Sequence, residues 1–141
     1  MNSETASWGD PGGSQAPHDA RGGEVLIVDD CREVGQLLCQ LMSVLGHSAM
    51  ACDSVAAAKR LIDARPLKGV VADFQMPGEG GAELYGWLEA NHPALARRFV
   101  LMSADLQATE TQEFLSRHAA RVLAKPFRIG DVSALLEELQ A

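Results

Sequence analysis

The chain has 141 residues, of which 47% are hydrophobic and 22% charged, the balance of one globular domain built on its own core. Its 12 Lys and Arg against 19 Asp and Glu give a formal net charge of −7, which argues against non-specific binding to nucleic acid or to an anionic membrane. No apolar run approaches the roughly 20 residues of a membrane span. The first residues lack the basic and apolar regions of a secretory signal, and three cysteines without CxxC spacing fit free thiols in a reducing cytoplasm.

In chain order, residues 1–23 hold 5 of the 13 Gly and 2 of the 6 Pro, with Met1 and Trp8 as the only large apolar side chains. Such a stretch buries too little apolar surface to offset chain entropy and reads as a flexible tail ahead of a domain over 24–141. Residues 24–28 (EVLIV) form a continuous β-branched apolar run, as expected of a strand buried on both faces. Val34, Leu37, Leu38, Leu41, Met42 and Leu45 then recur at helical spacing, with Gly46 as a stop. Residues 48–52 read as a second strand. Ser54 can cap a helix running to about Ala64, with Val55, Ala58, Leu61 and Ile62 inward, and Arg65-Pro66 ends it.

Residues 68–72 (KGVVA) make a third strand, and Pro77 to Gly81 is turn chemistry before a helix over about 82–90 with Leu84 and Leu88 inward. Residues 98–102 make a fourth strand. A helix over about 106–118 follows, with Phe114 and Leu115 on its buried side. Residues 121–124 make a fifth strand, and Ile129, Val132, Leu135, Leu136 and Leu139 mark the apolar stripe of a last helix. Five repeats of strand then helix imply an α/β domain with a parallel sheet covered on both faces and right-handed crossovers. Periodicity leaves the strand order open.

In an open parallel sheet the binding crevice lies beyond the carboxyl ends of the strands. The first strand ends at Asp29 and Asp30, the third at Asp73, the fourth at Ser103, and the fifth leads into Lys125. Three carboxylates brought together repel one another unless a cation neutralises them. A donor set of oxygens, with no His or Cys, indicates a hard ion such as Mg²⁺. One ammonium and one hydroxyl supply the charge and the hydrogen-bond donor that a phosphoryl group needs, and phosphoryl transfer asks for little more than positioning and charge neutralisation. Pro77-Gly78 and Gly80-Gly81 match no phosphate-binding loop and read as a turn before a helix. His18, His47, His92 and His118 are unclustered and read as surface or loop residues. Tyr85 and Trp87 read as packing residues, and Cys31 as a bystander thiol at the crevice mouth.

VLIVDD (25–30), VVADFQMPG (70–78), LMSAD (101–105) and LAKPF (123–127) resemble the receiver domains of two-component response regulators. The resemblance covers about 24–141. It implies a flavodoxin-like (βα)5 fold with strand order 2-1-3-4-5. Asp73 would be the phosphoacceptor, charged by a histidine kinase or a histidine phosphotransfer protein. Asp30 would bind Mg²⁺ directly, Asp29 directly or through water, Asp73 as a third carboxylate, and Gln75 through its backbone carbonyl. Ser103 and Lys125 would hold the phosphoryl oxygens, and the Lys125–Pro126 peptide bond would be cis. Asp30 could also cap the first helix.

One departure stands out: where receiver domains usually carry Tyr or Phe three residues before the Lys, this chain has Val122, which implies a smaller rearrangement of that face on phosphorylation. Asp105, two residues past Ser103, is expected to influence phosphoryl lifetime. The reading that follows is a non-enzymatic phosphorelay switch in the cytoplasm, with no output domain in the chain and no direct nucleic-acid or membrane partner. The LMSAD-to-LAKPF stretch also resembles the receiver portion of hybrid sensor histidine kinases. A small Mg²⁺-dependent phosphatase using Asp73 is the remaining alternative, opposed by Gln75 where such enzymes need a second acid.

Overall fold

The computed structural model describes residues 23–140. The tail assigned to residues 1–23, with Trp8 and His18, therefore lies outside the described residues apart from Gly23. The elements are β1 Glu24–Val28, α1 Arg32–Val44, β2 Ala49–Cys52, α2 Val55–Ala64, β3 Leu67–Asp73, α3 Gly81–Asn91, α4 Pro93–Ala96, β4 Phe99–Ser103, α5 Thr109–Arg117, β5 Arg121–Ala124 and α6 Ile129–Gln140. All strand pairs are parallel and the sheet order is β2-β1-β3-β4-β5. The α/β class and the flavodoxin-like order implied by the resemblance are both present.

Each central strand buries both faces, and the pleat sends alternate residues to opposite layers. Val25 and Ile27 of β1, Val71 of β3 and Val100 and Met102 of β4 meet Leu38 and Met42 of α1 and Val132, Leu136 and Leu139 of α6. Leu26 and Val28, Val70 and Ala72, and Phe99 and Leu101 meet Ala58 and Ile62 of α2, Leu84 and Leu88 of α3 and Phe114 of α5. The second layer is the aromatic one. Tyr85 packs edge-on against Phe99 and Phe114, with centroids 5.2 and 5.4 Å away, in the packing role read from the sequence.

The helix ends follow local chemistry. The Ser54 hydroxyl accepts the Ala57 N–H at 3.1 Å and caps α2 as expected. Beyond Leu45, Gly46 takes φ +90°, a left-handed conformation open to glycine, and closes α1.

Several expectations are corrected. Leu37, assigned to the inner face of α1, is 46% exposed. The buried residues are Gly35, Leu38, Cys39 and Met42, and Leu37 lies across the helix from their centre, above exposed Val44. Ile129, assigned inward, is 46% exposed at the first residue of α6. The fifth helix begins at Thr109 instead of near Leu106, because Asp105 folds residues 105–107 into a side-chain turn: its Oδ1 accepts the Gln107 N–H at 3.0 Å. The one-turn α4, absent from the sequence reading, opens at Pro93, where proline suits a first helical position. Asp30 does not cap α1. Cys31 occupies that place, and its N–H is bonded by Asp29 Oδ1 at 2.8 Å.

Candidate functional site

The sheet register sets the ends of all five strands side by side. Val28 pairs with Cys52 and with Ala72, Asp73 with Met102, and Ser103 with Ala124. Backbone bonds continue the ladder one residue past these pairs. Asp29 N–H donates to Cys52 O at 3.1 Å, Phe74 N–H to Met102 O at 2.9 Å, and Lys125 N–H to Ser103 O at 2.9 Å. The chain segments that carry the acids, the hydroxyl and the ammonium are thus held by the sheet itself, the most rigid part of such a fold.

Side chains converge accordingly. Asp29 and Asp73 are buried, Asp30 is exposed, and each of the three offers a carboxylate oxygen, all within 4.8 Å of one another. Lys125 Nζ lies 2.9 Å from Asp29 Oδ2, a contact between residues 96 positions apart, and 3.2 Å from Asp73 Oδ1. Desolvation first, and the Asp29 charge second, push the Asp73 carboxyl above its ordinary value, while Lys125 pulls it back. Burial works against the Lys125 ammonium, but its hydrogen bond to Asp29 and the charges of Asp29 and Asp73 outweigh this and leave it raised. The cluster therefore holds more negative charge than one ammonium offsets. An all-oxygen donor set with one solvent-facing carboxylate is suited to a hard divalent ion such as Mg²⁺ and unsuited to a soft metal.

Ser103 is buried at the end of β4, and its Oγ accepts the Asp105 N–H at 3.0 Å. That bond leaves the hydroxyl proton itself free to donate. Gln75 is exposed in the loop leaving β3. Val122 is 37% exposed on β5. The Lys125–Pro126 bond is cis, as the resemblance implied.

Two positions matter more than the sequence suggested. A Cβ on Gly80 would lie 2.5 Å from Phe74 O, and one on Gly81 would lie 2.9 Å from Asp73 O. The start of α3 therefore presses directly on the backbone of Asp73 and Phe74, an approach open only to glycine. Glu83 completes this corner by accepting the Gly80 N–H at 2.8 Å. The Gly80-Gly81 pair was the visible signal. Its meaning, support of the Asp73 backbone, needed the third dimension.

The model of the response regulator receiver domain matches residues 25–137, and the chain belongs to that family. It is 32% identical over 114 residues to the response regulator protein FleR of Pseudomonas aeruginosa, a match that takes in 81% of this chain but only 23% of that protein's length. Among solved structures it is similar to an uncharacterized protein from Neptuniibacter caesariensis, with a TM-score of 0.75, 27% identity, and 83% and 87% of the two chains covered. It also matches the signal receiver domain of an HD domain-containing protein from Pseudomonas fluorescens Pf-5, with a TM-score of 0.76 and 85% and 95% coverage; at 21% identity that likeness concerns the fold alone. Among the described residues no helix is long and apolar enough to cross a membrane.

Proposed function

We propose that this receiver domain is a phosphoacceptor in a histidine-to-aspartate phosphorelay, with Asp73 as the residue that carries the phosphoryl group. The observation that carries the reading is the meeting of Asp29, Asp30 and Asp73 within 4.8 Å, with Lys125 Nζ 3.2 Å from Asp73. Asp29, Asp30, Asp73 and the Gln75 backbone carbonyl would hold Mg²⁺, which neutralises carboxylate and phosphoryl charge. An Asp73 oxygen attacks the phosphorus of a phosphohistidine on a histidine kinase or phosphotransfer protein. The P–N bond breaks as the new P–O bond forms, and the imidazole leaves with the electron pair and takes up a proton. Ser103 donates its hydroxyl proton to a phosphoryl oxygen. Lys125 follows the charge from the free Asp73 carboxylate to the phosphoryl group, so its contacts differ between the two states. The domain works as a two-state switch, in which the new contacts favour one arrangement of the loops around the crevice and thereby alter protein–protein binding.

Incubation with acetyl phosphate and Mg²⁺ followed by intact-mass measurement tests this. A gain of about 80 Da, the mass of a phosphoryl group, is expected in the wild type and not in Asp73→Asn. The same gain in Asp73→Asn would overturn the assignment. Steady release of inorganic phosphate over many turnovers, without accumulation of the adduct, would favour the phosphatase alternative.

A further inference from the structure

Beside the crevice runs a groove of about 640 Å³, bounded by the loop after β3, the start of α3 and the outer face of α5. Half-buried Phe74 and Met76 and buried Phe114 supply its apolar surface, and the Phe74 and Phe114 rings meet edge-to-face at 5.8 Å. The lining is about evenly polar and apolar, and a concavity of this size has room for one or two large side chains against Phe74 and Met76. Its α5 rim carries Glu110 and Glu113, both exposed, and neither carboxylate has an ion-pair partner among the described residues. The helix dipole accounts for Glu110, which lies in the first turn of α5. Glu113 lies beyond it. Glu83 adds a third acid across the groove, against one cation, Arg117, among the described residues that line it. The rim is thus net acidic in a chain whose overall charge is −7.

We propose that this groove is a docking surface for a segment of a partner protein that combines a bulky apolar anchor with flanking Arg or Lys. The anchor covers Phe74, Met76 and Phe114, and the basic flank meets Glu110 and Glu113. The charge contributes register and encounter rate, and the apolar contact contributes most of the affinity. An acidic segment is rejected by like charge on the rim.

The test uses acetylated peptides of ten residues titrated into ¹⁵N-labelled full-length chain, without Mg²⁺ or phosphodonor, so that its outcome is independent of Asp73 phosphorylation. One peptide carries Arg-Arg-Leu-Phe, a second Glu-Glu-Leu-Phe, a third Arg-Arg-Ser-Ser. The first is expected to shift amides of residues 74–83 and 110–117 and to bind at least about tenfold more tightly than the others. Glu113→Lys is expected to weaken it about fivefold or more, and Met76→Gln similarly, each with an unchanged thermal melt. The proposal is overturned if no peptide shifts the groove at up to about 1 mM, if the acidic peptide binds equally well, or if the shifts fall elsewhere. It is also overturned if the same amides shift with protein concentration alone, which would make a second copy of the chain the occupant.

Discussion

The two layers that flank the sheet and the pocket at its carboxyl edge are made from the same strands, yet they obey opposite rules. Within the layers, Leu26, Ile27, Val71 and Leu101 are wholly buried among apolar neighbours, and their burial stabilises the domain. One or two residues further on, Asp29 and Asp73 are buried as well, but among like charges, with a single ammonium between them. Burial of the Asp73 carboxylate there opposes folding, and the ammonium offsets this only in part. The comparison teaches that the sheet supplies the stability which the crevice spends on holding acids together, the usual relation between a rigid scaffold and a functional site.

The widest gap between the regions comes from removing a core side chain. Leu101→Ala is expected to destabilise by about 2–5 kcal/mol in urea unfolding, through lost transfer energy and a residual cavity. Next comes the effect of added Mg²⁺. Mg²⁺ well above its dissociation constant is expected to raise unfolding stability by about 1–3 kcal/mol, and Asp30→Asn, exposed and harmless to the core, to remove most of that gain. An undiminished gain in Asp30→Asn would detach that residue from the ion.

Lys125→Ala leaves Asp29 and Asp73 facing each other without their ammonium. Its expected cost is about 1–2 kcal/mol at neutral pH, less than for a fully buried pair because the ammonium is partly solvated. Added Mg²⁺ should shrink that cost. Asp73→Asn should do the reverse and raise the melting temperature in EDTA. The sign follows from the direction of the shift. A carboxyl whose folded-state value is raised opposes folding once ionised, so the variant's advantage is present at neutral pH and disappears below the ordinary aspartate value near about 3.9. An advantage that persisted in acid would mean that the Asp73 charge is not its source.

The smallest effect concerns the thiols. Exposed Cys31 should react first with a thiol-specific reagent in the folded protein. Cys52, whose thiol burial pushes up to about 12, should react only on unfolding. Stability should be nearly unchanged in Cys31→Ser.

The strand-and-helix alternation and the residues at the strand ends were legible because both are local. Continuous apolar runs mark buried strands, and each run stops at the residue that enters the crevice. What misled was equally local. The i, i+3, i+4 pattern in α1 admitted Leu37, because periodicity cannot tell which side of a broad stripe faces the sheet. Asp30 looked like a helix cap because residue type alone does not say that Cys31 starts the helix while Asp29 bonds its N–H.

By itself the amino-acid order determined which residues form strands, which helices cover them, and which acids, hydroxyl and lysine stand at the strand ends, since backbone preference and hydrophobic period act over a few residues. Periodicity left open that β1 lies between β2 and β3, which the family resemblance implied and the sheet shows, while only the tertiary structure decided that Lys125 Nζ reaches both Asp29 and Asp73 across the pocket. It also decided that Gly80 and Gly81 press on the Asp73–Phe74 backbone and that an acid-rimmed groove opens beside it. These are distances between segments far apart in the chain, set by how the layers pack, and no local pattern encodes them.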